Sequence, residues 1–125
     1  MSIFPSQFIE SPQIAKFSSI ISQPKGSLFA LFCNVLIGSK PLLFQWFKNG
    51  NQIPIANNKK ESSFSSSVLD GRFQIDTKAV FSQLMLHDLV ATDSGNYSCI
   101  VSNEHGFDTQ WSMLQVKGLV CFRNK

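Results

Sequence analysis

Apolar and polar residues alternate along most of this chain in short runs separated by turn-forming residues. A period of two residues is typical of β-strands, in which successive side chains point to opposite faces. No long stretch repeats its apolar residues every three to four positions, as an amphipathic helix does. The alternation begins near Ile14 and is clearest in the runs 28–35, 42–47, 72–76, 81–86, 96–102 and 109–116. About seven or eight short strands with frequent turns predict an all-β sandwich of two packed sheets.

Residues typical of turns separate these runs, at 38–41, 48–51, 91–95 and 103–106. The pair Asn49-Gly50 is a strong signal for a tight hairpin, because both residues adopt positive φ readily. Segment 57–67 is polar and rich in serine, and we interpret it as a mobile connection rather than a separate module. We therefore divide the chain into an extended or disordered lead-in, one domain and a C-terminal tail, at 1–10, 11–118 and 119–125.

The size and charge of the chain limit what it binds. A length of 125 residues fits one domain, and an apolar fraction of 43% with 12 phenylalanines supplies a core. The net charge of +3 is small and scattered, so we expect no nucleic-acid partner and no direct membrane binding. Residues 1–10 do not have the pattern of a leader peptide, so we expect any leader or membrane anchor to lie in parts of the protein outside this segment.

Neither the cysteines nor the polar residues form a recognisable chemical site. Cys33, Cys99 and Cys121 are an odd number, which leaves at least one unpaired, and neither His87 nor His105 has zinc-ligand spacing to them. The chain has no Gly-x-Ser-x-Gly elbow and no Gly-rich phosphate loop, and its eight acidic residues are dispersed. We therefore expect no metal site, no cofactor, no small-molecule substrate and no enzymatic activity.

Two cysteines and a tryptophan follow an order that points to a fold family. Cys33, Trp46 and Cys99 lie in the second, third and penultimate predicted strands, and the second cysteine ends the motif DSGNYSC at 93–99. These features resemble the I-set of the immunoglobulin superfamily over about residues 11–118. The resemblance implies an immunoglobulin-like Greek-key β-sandwich in which a Cys33–Cys99 disulfide joins the two sheets and Trp46 packs against it.

The same resemblance implies a structural corner before the second cysteine. Tyr97 lies two residues before Cys99, so it shares the inward face, and its hydroxyl is expected to bond to the backbone upstream. Asp93 commonly pairs in such domains with an arginine at the start of the fourth strand, and Arg72 lies at that position. The inward residues before the corner are expected to be Leu84, Leu86 and Leu89.

A narrower resemblance covers three stretches, SPQIAKF at 11–17, PLLFQWFKNG at 41–50 and NYSCIVSN at 96–103. They are similar to the variable immunoglobulin domains of the arthropod Dscam family, such as the seventh domain of long Dscam or the first domain of the shortened chelicerate Dscams. This resemblance implies a neuronal cell-surface receptor of immunoglobulin and fibronectin type III repeats that binds copies of itself. The two ends of the chain depart from the family pattern, and the tail adds an unpaired Cys121, so we interpret the sequence as a truncated gene model or a single exon translated together with its flanking sequence.

Strand alternation divides the remaining residues between two outer faces. If Cys33, Leu84 and Leu86 point inward, one sheet has an outer surface, here called the Phe32 face, formed by Leu28, Ala30, Phe32, Asn34, Gln74, Asp76, Gln83, Met85 and His87. The surface of the opposite sheet, here called the Trp111 face, is formed by Phe47, Ile100, Trp111 and Met113. Exposed apolar and aromatic patches favour a contact site, although scattered apolar residues are normal on any protein surface.

The Dscam resemblance favours the Phe32 face, because variable domains of that family pair through this sheet. We expect an antiparallel, two-fold homodimer or a pair of closely related isoforms. Its dry centre would consist of Leu28, Ala30, Phe32 and Met85, with a polar rim of Gln74, Gln83 and His87. The protein is then an extracellular adhesion module of a larger membrane-anchored receptor. The alternatives are an intracellular structural I-set module of a giant muscle-type protein and a heterophilic immune recognition domain.

One sequence signal concerns modification rather than binding. Asn96-Tyr97-Ser98 satisfies the rule for N-glycosylation, so Asn96 is a candidate glycan site. The same asparagine also suits an unmodified corner beside a tight turn. The sequence leaves both interpretations open.

Overall fold

The computed structural model describes residues 10–54 and 72–118, which form nine β-strands and one 3-10 turn. The strands are β1 (Gln13–Ile14), β2 (Ile20–Pro24), β3 (Phe29–Ile37), β4 (Leu43–Lys48), β5 (Asn51–Ile53), β6 (Phe73–Thr77), β7 (Phe81–Leu86), β8 (Gly95–Asn103) and β9 (Gly106–Lys117). The 3-10 turn, Ala91–Asp93, connects β7 to β8. The predicted connection 57–67, the tail with Cys121 and residues 1–9 of the lead-in lie outside the described residues.

The strands form two sheets that pack face to face, with the orders β1-β3-β7-β6 and β2-β9-β8-β4-β5. Neighbouring strands are antiparallel except for β2 and β9, which run parallel with Ile21 opposite Leu114. The chain changes sheets between Ile14 and Ile20, because β1 pairs with β3 whereas β2 pairs with β9. This change and the short strand β5 account for nine described strands where the sequence predicts seven or eight. The predicted all-β sandwich is confirmed.

The core lies between the sheets and contains the inward residue of each alternating pair. The predicted inward residues Leu84, Leu86 and Leu89 are all fully buried. Val35 and Val116 are partly buried and pack against the same cluster. The buried cluster consists of Ile14, Phe29, Leu31, Cys33, Phe44, Trp46, Ile53, Leu84, Leu86, Leu89, Tyr97, Cys99, Val101 and Leu114. An apolar cluster of this composition supplies most of the free energy that stabilises a sandwich of this size.

The predicted hairpin at Asn49-Gly50 joins β4 to β5. The two residues have φ angles of 52° and 84°, the left-handed conformation that a tight two-residue hairpin requires. Lys48 pairs with Asn51 directly across the turn. Because glycine has no Cβ, it adopts this angle at little cost, and asparagine tolerates it better than most residues.

Two strand ends differ from the sequence prediction. The last strand begins three residues earlier than expected, because the β8–β9 ladder continues until Asn103 pairs with Gly106. His87, predicted to lie in a strand, follows the last residue of β7. Its carbonyl accepts a hydrogen bond from Arg72 Nη2 at 3.1 Å, and the next residue, Asp88, has a φ of 54° that turns the chain out of the sheet.

No helix in residues 10–54 and 72–118 is long and apolar enough to span a lipid bilayer.

Candidate binding surfaces

The disulfide between Cys33 on β3 and Cys99 on β8 joins the two sheets. Its sulfur atoms are 2.08 Å apart, and the two Cα atoms are separated by 6.4 Å. Trp46 lies beside Cys99 in the β4–β8 ladder and is fully buried. The predicted disulfide is therefore confirmed, with the tryptophan beside it at the centre of the core.

A hydrogen bond crosses the core next to the disulfide. Trp46 Nε1 donates to Ser82 Oγ at 2.9 Å, and Ser82 Oγ lies 2.8 Å from Thr77 Oγ1. Ser82 is fully buried on β7, in the sheet opposite Trp46. Ser82 was not predicted to have a structural role. Because it lies two residues before Leu84, its side chain was expected to point into the core, where serine is unusual, and this could have identified it.

The corner before Cys99 has the geometry that the resemblance implies. The Tyr97 hydroxyl donates to the backbone carbonyl of Asp93 at 2.7 Å. Arg72 Nη1 and Nη2 donate to the two carboxylate oxygens of Asp93, each at 2.9 Å. The backbone N–H of Val90 donates to Asp93 Oδ2 at 2.8 Å. These bonds hold the start of β6, the 3-10 turn and β8 together.

The pKa values at this corner are consistent with a structural role. Burial by itself raises the pKa of Asp93, but the hydrogen bonds from Arg72 and Val90, with the positive charges of Arg72 and Lys48, bring it below the ordinary value of 3.8. Burial, with a contribution from the negative charge of Asp93, raises the pKa of Tyr97. At neutral pH the carboxylate is thus charged and the phenol protonated, the states in which both side chains make their bonds.

The Phe32 face lies on the sheet β1-β3-β7-β6. Residues opposite each other on neighbouring antiparallel strands point to the same side of the sheet and contact each other. The cross-strand pairs on this surface are Ala30–Met85, Phe32–Gln83, Asn34–Phe81, Gln74–Met85 and Asp76–Gln83. The outward residues of three strands therefore form one continuous patch.

An aromatic pair lies within this patch. Phe32 is 53% exposed, and its ring stacks on that of Phe81 with the centroids 5.9 Å apart. Leu28, just before β3, is 45% exposed, and Met85 is half-buried. Phe81 was not predicted to lie on this face, although it is four residues before Met85 on the same strand and therefore points to the same side.

Polar side chains lie along one side of the Phe32 face. His87 Nε2 and Gln74 Oε1 are 3.2 Å apart, and both residues are exposed. The Asp76 carboxylate lies 3.4 Å from Lys78 Nζ, in an ion pair that is largely open to solvent. Such exposed pairs contribute little to the stability of the fold.

The Trp111 face lies on the opposite sheet. Trp111 is 50% exposed, and Phe47, Ile100 and Met113 are half-buried. Asn96 is opposite Met113 in the β8–β9 ladder, at the corner of this face. Both outer faces therefore expose an aromatic side chain, and exposure alone does not decide between them.

The outer faces are suited to protein contacts. Within residues 10–54 and 72–118, no group of three His, Cys, Asp or Glu side chains is placed to hold a metal ion. The Phe32 face combines apolar and amide side chains with few charges, a composition found in the cores of protein interfaces.

Two sheets joined by a disulfide beside a buried tryptophan, with a tyrosine corner before the second cysteine, define an immunoglobulin-type β-sandwich. The chain belongs to the immunoglobulin domain family, because the model of that family matches residues 11–103. It is 33% identical over 108 residues to cell adhesion molecule Dscam2 of Drosophila melanogaster, covering 86% of this chain and 5% of that protein. It is also 33% identical over 81 residues to junctional adhesion molecule A of Rattus norvegicus, covering 65% of this chain and 25% of that protein.

Solved structures with the same architecture include the Ig7 domain of Dscam1, isoform 5. It superposes with a TM-score of 0.69 at 21% identity, covering 86% of this chain and 97% of that one. The I67–I69 fragment of titin superposes with a TM-score of 0.67 at 22% identity, covering 86% of this chain and 33% of that one. At sequence identities this low, these superpositions show that the fold is shared and nothing more specific. The chain spans a small part of the full-length Dscam2 and junctional adhesion molecule A proteins.

Proposed function

We propose that this chain is an extracellular adhesion or recognition module of a larger cell-surface receptor. It pairs with a second copy of itself, or with a closely related isoform, through the Phe32 face. The observation that carries the proposal is the stacked pair Phe32–Phe81 on an exposed sheet surface. Aromatic residues and methionine are enriched at protein interfaces, and exposed apolar patches mark contact sites.

The extracellular location has two supports. The Cys33–Cys99 disulfide favours an oxidising compartment, because thiols in the cytosol are kept reduced. Both relatives described above have adhesion in their names, and two further relatives are named as membrane-bound or membrane proteins. A module of this kind acts by binding and has no catalytic role.

The chemistry of the face suits a two-fold contact. A self-complementary surface pairs well about a two-fold axis, because each residue then meets the symmetry-related part of the same patch. An antiparallel arrangement puts the apolar residues Leu28, Ala30, Phe32 and Met85, now joined by Phe81, at the dry centre. The polar residues Gln74, Gln83 and His87 then lie at the rim, where amide and imidazole groups set the register.

The size of the face sets the expected affinity. One face of a domain this small buries at most about 1,200–1,600 Å² in total, the lower part of the standard range. After the entropic cost of association, a contact of this size between single domains is weak, with a dissociation constant of roughly micromolar. Multiple domains on apposed cells then raise the overall affinity by avidity.

The test is the double variant Phe32→Asp/Met85→Asp, which places carboxylates at the proposed dry centre. Without a partner, each buried charge costs several kcal/mol, roughly enough to abolish a micromolar dimer. We expect the variant to remain folded by circular dichroism, to sediment as a monomer and to lose bead aggregation. The matched control is Trp111→Asp/Met113→Asp on the other sheet, which is expected to associate like the wild type.

The opposite pattern contradicts the proposal. If the Phe32/Met85 variant is folded and aggregates like the wild type while the Trp111/Met113 variant does not, the contact lies on the Trp111 face. If both variants aggregate normally, neither sheet surface forms the contact.

A further inference from the structure

We propose that Asn96 carries an N-linked glycan that covers the Trp111 face, so that the Phe32 face is the sheet surface left bare for protein contact. Asn96-Tyr97-Ser98 is the one Asn-x-Ser/Thr sequence in the 125 residues. The inference rests on the proposed extracellular location, because N-glycosylation belongs to the secretory pathway.

The strand register places Asn96 on the outer side of its sheet. Its neighbour Tyr97 and the next inward residue, Cys99, are both fully buried. Because side chains alternate along a strand, Asn96 and Ser98 point away from the core. Asn96 is the second residue of β8, near the end of the strand, and it is half-buried.

The two polar atoms of the Asn96 side chain have different environments. Oδ1 is buried and has no hydrogen-bond partner among the described residues. Nδ2 is at least partly accessible to solvent and makes no hydrogen bond within residues 10–54 and 72–118. The nitrogen to which a glycan is attached is therefore the accessible atom of the pair.

The turn beside Asn96 does not depend on its side chain. The backbone carbonyl of Asn96 accepts a hydrogen bond from Asn49 N at 2.8 Å, and the backbone N–H of Asn96 donates to Asn49 Oδ1 at 3.0 Å. A sugar on Nδ2 leaves both bonds in place. A glycan at this position therefore requires the loss of no described hydrogen bond.

A glycan on Asn96 lies next to the exposed aromatic residue of the same face. Met113 is directly opposite Asn96 in the ladder, and Trp111 is its diagonal neighbour, at a distance of about 7–8 Å for such positions. A glycan is large and hydrophilic, so it prevents the close apolar contact that this face otherwise offers. On the Phe32 face, Asn34 is followed by Val35 and Leu36, so it does not begin an Asn-x-Ser/Thr glycosylation sequence.

The experiment starts from the chain secreted by eukaryotic cells behind an added signal peptide. We expect peptide mapping to find a glycan on Asn96, with conversion of this residue to aspartate after treatment with peptide-N-glycosidase. Ser98→Ala removes the sequence without changing Asn96 and is expected to abolish the glycan. The matched control Ser98→Thr keeps the sequence and is expected to retain it.

Tryptophan fluorescence reads out the shielding separately. The chain has two tryptophans, of which Trp46 is fully buried and Trp111 is 50% exposed. Quenching by acrylamide therefore reports mainly on Trp111. We expect protection of this residue in the glycosylated chain and loss of that protection both after enzymatic deglycosylation under native conditions and in Ser98→Ala.

The outcomes separate this inference from the proposed function. A secreted chain with an intact Cys33–Cys99 disulfide and an unmodified Asn96 overturns the glycan. A glycosylated chain whose Trp111 is quenched as strongly as in Ser98→Ala overturns the shielding. In either case pairing through the Phe32 face is tested separately, by the Phe32→Asp/Met85→Asp variant in the unglycosylated chain.

Discussion

Ser82 is a polar residue in the core that provides a hydrogen-bond acceptor for the buried tryptophan. Its side chain points inward from β7 and is fully buried, where a hydroxyl needs a partner. Its oxygen accepts the indole N–H of Trp46 at 2.9 Å and lies 2.8 Å from the hydroxyl of Thr77. Because the indole N–H gives up its hydration on burial, this acceptor is what allows a tryptophan to fill the centre of the sandwich.

Replacing the acceptor tests this role. We expect Ser82→Ala to lower the free energy of unfolding by about 1–3 kcal/mol, because it leaves the Trp46 N–H buried and unpaired. Thr77→Ser is the matched control. It keeps the hydroxyl that contacts Ser82 and removes only a methyl group at an exposed position, so its effect is expected to stay within about 0.5 kcal/mol. Urea unfolding followed by circular dichroism measures both variants, and equal midpoints for Ser82→Ala and the wild type would refute the role.

At the scale of elements, the corner before Cys99, formed by Arg72, Asp93 and Tyr97, holds the connection between the two sheets in place. β7 belongs to one sheet and β8 to the other, and the 3-10 turn between them contains Asp93. The bidentate bond from Arg72 ties this turn to the start of β6. The Tyr97 hydroxyl ties it to β8. The connection is therefore held at both sheets, next to β6 in one and at β8 in the other.

The pH dependence of stability follows from the lowered pKa of Asp93. A carboxyl group whose pKa is lower in the folded state contributes stability above the ordinary pKa of 3.8 and loses that contribution as the pH falls through the folded value. We expect Asp93→Asn to cost about 1–2 kcal/mol at pH 7, reduced by solvent screening of the partly exposed Arg72. The difference from the wild type should shrink below the ordinary pKa. Urea unfolding at several pH values measures it, and a constant difference would show that the charge of Asp93 is not involved.

At the scale of the whole molecule, the domain presents two apolar sheet surfaces of unlike character. The Phe32 face has a stacked aromatic pair with amide groups beside it. The Trp111 face carries the candidate glycan site Asn96 at its corner. If the proposed glycan covers that surface, the Phe32 face is the one left for the proposed pairing, and an isologous contact through one face closes as a dimer instead of propagating as a filament.

The composition of the Phe32 face predicts how the dimer responds to salt. Among the residues that define this face, Asp76 carries the one formal charge. Burial of apolar surface is not screened by salt, whereas ion pairs are. We expect sodium chloride to change the dissociation constant by less than about threefold, and sulfate to strengthen the dimer because it is excluded from protein surfaces. Sedimentation at increasing salt measures this, and a steep loss of affinity in sodium chloride would indicate a charged contact elsewhere.

The sequence by itself determined which side of a strand each residue occupies. The period of a strand is two, so one anchored residue sets the parity of its whole run. Once Cys33 points inward, Phe32 must point outward, and the structure has both as expected. The hairpin at Asn49-Gly50 was also determined locally, because these two residue types adopt the positive φ angles that the turn requires.

The tertiary structure decided which strands lie side by side. The stack of Phe32 on Phe81, the hydrogen bond between Trp46 and Ser82, and the crossing of the first segment from β1 to β2 all join parts of the chain that are distant in sequence or in different sheets. Alternation along one strand says nothing about its register against another strand. That register is set by the packing of the whole core, in which many weak contacts between distant residues are optimised together.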